Sequence, residues 1–232
     1  MTGTLKAAVA ITAVVGGALF LADGRGSAAA PTNVPAPVYD NPLAAKPGEE
    51  VAVFAGGCFW GIQAVYQHVK GVKSVVSGYT GGSDPSPTYP EVSSGRTGHA
   101  EAVRIVFDPS QVSYGTLLRI LFAVAHDPTQ LNRQGPDVGT QYRSEIFFTN
   151  DAQRKIAAAY VDQLGKAKIF GRPIVTKLSR LGPWTAAEDY HQNYANEHPN
   201  EPYIRFHDAP KVEALKKDFA SIYKEELSAW KQ

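Results

Sequence analysis

The stretch Glu50-Val-Ala-Val-Phe-Ala-Gly-Gly-Cys58-Phe59-Trp60-Gly61 constrains the chain most, because the hydrophobic period changes within it. Val51, Val53 and Ala55 alternate with Ala52 and Phe54, the pattern of a short buried strand ending at Gly56-Gly57. Beyond Cys58, the residues Ile62, Val65 and Val69 recur at helical spacing, with Ala64 and Tyr66 beside them. Cys58 is thereby placed at a strand-to-helix corner. Unpaired backbone N–H groups and the positive end of a helix dipole favour a thiolate there, and glycines before it allow a tight turn that leaves the sulfur uncovered. A lone cysteine is ordinarily a small buried hydrophobe. Gly-Gly before this one and two aromatic residues after it argue for a reactive thiol instead.

Cys58 is the only cysteine among 232 residues, which excludes an intrachain disulfide framework and a multi-thiolate zinc site. His99, His126, His191, His198 and His207 include no close-spaced pair, so no metal site is expected. Lys and Arg total 23 against 22 Asp and Glu, and basic residues such as Arg96, Arg104, Lys155 and Lys168 are dispersed, which gives no footprint for nucleic acid. The length suits one well-buried domain.

Residues 1–30 have the layout of an export signal: Lys6, an uncharged core from Ala7 to Ala22, then Ala28-Ala29-Ala30 before Pro31. Cleavage there would remove Met1, the only methionine; an uncleaved anchor is the alternative. A periplasmic or extracellular location is therefore expected over a cytoplasmic one with an incidental apolar start, with membrane attachment only if this segment stays. Residues 31–48 form a proline-rich linker that either tethers the domain or drapes over it, and residues 49–232 form the domain.

Within the domain, Val72–Ser77 reads as a strand broken by Gly78-Tyr-Thr-Gly-Gly, and residues 83–97 as a loop carrying Tyr89. That glycine loop lacks the Lys-Ser/Thr of a phosphate cradle. Val103, Ile105 and Phe107 mark a strand with Glu101 at its mouth, either facing a cleft or solvated. Ser113–Ala125 is an amphipathic helix, 126–144 a long polar loop holding Asp137 and Tyr142, and Glu145–Thr149 a strand. A helix over Ile156–Leu164, a strand over Ile174–Leu181, a short helix over Thr185–Asn196 and a final helix over Ala209–Leu227 complete an α+β order.

Gly57-Cys58-Phe59-Trp60-Gly61 resembles the signature of the peptide methionine sulfoxide reductases of the A type, and further matches run in that family's order from about Val51 to about Tyr203. The resemblance implies a ferredoxin-like α/β plait with long coil segments; the single domain is expected to be a monomer. It also implies reduction of the S epimer of methionine sulfoxide, free or in oxidised proteins, with no bound cofactor. Residue by residue, Cys58 matches the nucleophile and Glu101, in Gly98-His-Ala-Glu-Ala-Val, the acid; Phe59 and Trp60 match the methyl-holding pair. Tyr89, Asp137 and Tyr142 match the polar groups around the oxygen.

The chemistry fits these residue types. Aromatic rings give an apolar wall, and a carboxylic acid kept neutral by burial can protonate a sulfoxide oxygen while a thiolate attacks sulfur. Many family members carry a second cysteine that captures the resulting sulfenic acid. This chain has none, so an external thiol, from a thioredoxin-like donor or another dithiol, must reduce Cys58. Two other readings compete. A papain-like cysteine hydrolase would pair Cys58 with His191 and Asn193, and a non-enzymatic exported binding domain would simply bury the thiol.

Overall fold

The computed structural model describes residues 33–230; the segment read as an export signal lies outside the described residues. In chain order the elements are β1 (Glu50–Gly56), α1 (Phe59–Gln67), β2 (Val72–Thr80), α2 (Tyr89–Ser93), β3 (Ala100–Phe107), α3 (Tyr114–Ile120), β4 (Arg133–Gln134), β5 (Asp137–Val138), β6 (Ser144–Phe148), α4 (Asp151–Ala167), β7 (Lys177–Arg180), β8 (Trp184–Ala186), α5 (Tyr194–Glu197) and α6 (Ala209–Asp218). One sheet runs in the order β7-β6-β1-β3-β2-β8, antiparallel except for the β6–β7 pair. At its centre β6-β1-β3-β2, with α1 after β1 and α3 after β3, is the βαββαβ arrangement of a ferredoxin-like plait. The α+β class and the plait are both as expected.

The alternation in β1 sends Ala52 and Phe54 to one face of the sheet and Val53 and Ala55 to the other. Phe54 joins Ile62 and Tyr66 of α1, Leu117 and Leu118 of α3, Tyr160 of α4 and Leu215 of α6 in the main core. The opposite face is thinner: Val53, Ala55, Ala100, Ala102 and Phe147, covered by Leu181 and Trp184. Side chains start two of the helices, Ser113 Oγ accepting from Thr116 N–H and Asn150 Oδ1 from Gln153 N–H.

Several boundaries differ from expectation, each through a long-range contact. β2 continues through the expected glycine break to Thr80 because β8 pairs with Gly78–Thr80. The short helix expected over Thr185–Asn196 is instead β8, a 3-10 turn at Asp189–His191 and α5. Here the Gln192 amide replaces a helical ladder: it accepts from Ser77 N–H and donates to the carbonyls of Ser77 and Ala187. The final helix stops at Asp218, and the chain turns back to the end of α1, where Lys70 N–H donates to the Ile222 carbonyl. α3 ends at Ile120 in a wide π turn, Leu121–Ala125. The polar loop 126–144 holds the β4–β5 hairpin and a 3-10 turn at Thr140–Tyr142, and residues 83–97 hold α2, closed by a Thr88–Glu91 capping box.

Residues 33–48 lie against the domain. Val34 is buried and its carbonyl accepts from Arg119 Nε at 2.8 Å, the Pro35 carbonyl accepts from Tyr160 at 2.6 Å, and Asp40 Oδ1 accepts from Gly115 N–H at 3.0 Å. Among the described residues, no helix is long and apolar enough to cross a membrane.

Candidate active site

β1 ends at Gly56, and Gly57, with φ +103°, turns the chain into α1. A side chain at Gly57 would place its Cβ 2.6 Å from Gln134 Cγ, so this glycine lets the β4–β5 loop close over the corner. The sulfur is consequently not uncovered: Cys58 is 8% exposed. Nor does the helix terminus win the electrostatic balance. Burial pushes the Cys58 thiol well up, the carboxyls of Glu101 and Asp208 push the same way, and the Trp60 backbone N–H opposes them only in part. Cys58 is held as a thiol, contrary to the thiolate expected from its helix-terminal position.

Glu101, near the start of β3, is the cleft-facing acid and not the solvated one. It is 2% exposed and its Oε2 accepts from the Phe59 N–H at 3.1 Å. Burial, opposed by that N–H and assisted by the charges of Asp137 and Asp208, pushes its carboxyl up to about 8. At neutral pH it is a neutral acid hydrogen-bonded to the turn that carries the thiol.

Phe59 is fully buried against Tyr79 and His191, with ring centroids at 5.8 Å and 5.2 Å. Trp60 is half-buried, stacked on Tyr194 at 3.9 Å and edge-on to Tyr203. Tyr89 begins α2 and packs on His191 at 4.3 Å; Glu188 fixes it by accepting from its backbone N–H at 2.8 Å and from the Tyr79 hydroxyl at 2.9 Å. Asp137, in β5, accepts from the Tyr203 hydroxyl at 2.5 Å, and burial raises its carboxyl. Tyr142 ends the 3-10 turn after β5; burial first, then the charges of Glu101 and Asp137, raise its phenol. All seven residues singled out in the sequence therefore cluster around Cys58 and Glu101.

The structure adds Tyr203, Tyr194, His191 and Asp208. A thiolate at Cys58 would raise the phenols of Tyr89, Tyr142, Tyr194 and Tyr203, which places all four within electrostatic reach of the sulfur. Of these, Tyr194 and Tyr203 were not singled out from the sequence and are placed by long-range contacts with Trp60. His191 does not serve Cys58 as a hydrolase base: its Nδ1 accepts from Trp60 Nε1 at 3.3 Å, and burial lowers its basicity. Among the described residues no group of three or more His, Cys, Asp or Glu side chains could hold a metal ion.

A βαββαβ plait with a buried cysteine, a neutral carboxyl and a phenol-lined aromatic wall defines a thiol-dependent oxidoreductase. The chain belongs to the peptide methionine sulfoxide reductase family, whose sequence profile matches residues 50–223. It is 56% identical over 181 residues to peptide methionine sulfoxide reductase MsrA 2 of Mesorhizobium japonicum, covering 78% of this chain and 93% of that protein. It is 49% identical over 193 residues to the MsrA of Deinococcus radiodurans, covering 82% and 93%. Among solved structures it is similar to methionine sulfoxide reductase A of Corynebacterium diphtheriae, with a TM-score of 0.58 and 36% identity over 75% of this chain and 90% of that one. Reduced Mxr1 of Saccharomyces cerevisiae gives a TM-score of 0.58 and 30% identity over 68% and 94%.

Proposed function

We propose that the protein reduces the S epimer of methionine sulfoxide, free or in oxidised proteins, with Cys58 as nucleophile and Glu101 as acid. The observation that carries these roles is the Phe59 N–H to Glu101 hydrogen bond, which ties a neutral acid to the turn presenting the sulfur. Phe59 and Trp60 receive the substrate methyl group, and Tyr89, Tyr142 and the Asp137–Tyr203 pair surround the sulfoxide oxygen.

Glu101 gives its proton to the oxygen, which makes the substrate sulfur electrophilic. The Cys58 sulfur attacks, and its proton restores Glu101. An S–O bond forms at Cys58 as the substrate S–O bond breaks, so that the thioether leaves and Cys58 becomes a sulfenic acid. Two external thiol groups then return Cys58 to the thiol, yielding one disulfide and one water. With no second cysteine in the chain, the donor's own thiol must reach Cys58, which favours a thioredoxin-like dithiol.

Turnover of the separated epimers of a blocked methionine sulfoxide with a dithiol tests this, using Cys58→Ser as control. Reduction of the S epimer alone, abolished in the control, is expected; reduction of neither epimer would remove the assignment. We also read the protein as exported and monomeric, on the strength of the signal-like residues 1–30 and the near-neutral, self-contained domain. A mature N-terminus at Pro31 in a cell-envelope or secreted fraction is the outcome that supports export.

A further inference from the structure

Asp208 and Lys211 lie outside every motif that marked the site in the sequence. Asp208 closes the turn leading into α6 and is fully buried. Its Oδ1 accepts from Lys211 Nζ at 3.0 Å, and Oδ2 is buried without a hydrogen-bond partner. Buried carboxylates normally have both oxygens satisfied, and a half-satisfied one costs stability. The carboxylate also presses on the turn that presents the sulfur, since a Cβ at Gly61 would lie 2.0 Å from Oδ1. Only a glycine in the first turn of α1 allows that approach.

The charged and titratable groups around the sulfur are Glu101 from β3, Asp137 from β5, Asp208 itself, and the phenols of Tyr89, Tyr142, Tyr194 and Tyr203. Asp208 also acts on Glu101, Asp137 and Tyr203. Lys211 bonds Asp208 and acts on Asp137, which His207 faces as well.

We propose that Asp208 and Lys211 are positioning residues for Cys58, the buried carboxylate opposing negative charge on the resting sulfur and the ammonium limiting that opposition. This rests on Cys58 being the nucleophile. The arrangement suits a chain with a single cysteine: a resting thiolate would be open to peroxide and to progression toward sulfinic acid, with no second thiol to intercept it. A thiol waits until Glu101 has passed its proton to a bound sulfoxide and can take the one from sulfur.

The test is the rate of Cys58 alkylation by iodoacetamide at fixed pH between about 8 and 9, where the rate follows the thiolate fraction. Asp208→Asn should lower the ionisation midpoint and raise the rate several-fold. Lys211→Met should slow alkylation by a comparable factor, and Lys211→Arg should leave the rate within about twofold of the parent. Both single variants break the same ion pair, so a purely structural role would move them in the same direction. Equal-sign changes, or none, overturn the proposal. If Asp208→Asn does not fold, the neutral double variant Asp208→Asn/Lys211→Met replaces it, with a smaller acceleration expected and a slower rate decisive against. Sulfoxide reduction surviving in Cys58→Ser would instead sink the nucleophile assignment, leaving the alkylation comparison intact.

Discussion

The floor of the pocket and its wall are held by different means. The floor, from β1 through Cys58 to α1 with Glu101 on the neighbouring β3, sits on sheet hydrogen bonds and a helix start, and Phe54, Ile62 and Ile105 beneath it are fully buried. The wall, in residues 126–144 and 184–208, is a series of very short strands and helical turns, with backbone groups between them satisfied by side chains such as Gln192, Glu188 and Gln134. The groups proposed to do chemistry occupy the part least free to move. Asp137, Tyr142 and Tyr203, proposed to surround the substrate oxygen, occupy the outer part, where side-chain hydrogen bonds supplement short backbone pairings.

Substitutions in the floor should strike the rate. Cys58→Ser should bring sulfoxide reduction to the uncatalysed background, read by chromatography of methionine formed. Glu101→Gln should lower kcat/KM by about 10²–10³-fold, with KM changed much less. In the parent protein, single-turnover reduction should fall as pH rises through about 8, because the acid loses its proton there. That limb should be missing in Glu101→Gln, and its persistence would assign the limb to another group.

The same residue gives a stability test. Its folded carboxyl stands at about 8, above the unfolded value of about 4.3, so the folded state favours the neutral form. The stability this supplies is complete below the unfolded value and is lost as pH rises toward 8. Glu101→Gln should therefore gain on the parent in Tm between pH 4 and pH 8.5, by roughly 10–20 °C in scanning calorimetry.

Wall substitutions should show smaller effects, in stability and KM. Gln192→Ala strands the buried Ser77 N–H and leaves the Ser77 and Ala187 carbonyls short of a donor, so urea denaturation should report a loss of about 2–4 kcal/mol. Tyr203→Phe removes the hydroxyl that Asp137 accepts from and should raise KM about three- to tenfold at nearly unchanged kcat. A large fall in kcat instead would move Tyr203 from shaping the pocket to the reaction itself.

The same division governs what could be read from the chain. The corner at Cys58 was legible because strand period, glycines and helix period are all local; alternation located the central strands, and their α+β order with them, while the plait came from the resemblance. Asp137 and Tyr142 could be picked out only by resemblance, since nothing in a polar loop tells which side chains turn inward. Tyr194 and Asp208 went unnoticed because contacts spanning more than a hundred residues place them. Glu188-Asp-Tyr-His191 looked helical because a short window can match a 3.6-residue period by chance. In the fold its backbone turns and its side chains reach back to Tyr79, Tyr89 and Trp60. The expected thiolate failed for a related reason: a helix terminus is visible in sequence, whereas burial and two carboxyls from distant segments are not.

The return of the chain after α6 has a consequence for the company this protein keeps. β2 would be a long open edge, but β8 pairs with its end at Gly78–Thr80, and Val75 N–H donates to the Ala229 carbonyl near its start. An uncovered edge of that length is a template for strand addition by any partly unfolded polypeptide. Oxidised proteins are the clients proposed here, and damaged chains are the ones with strands to offer. Two short patches on one edge let the enzyme handle misfolding-prone clients without becoming the seed on which they aggregate.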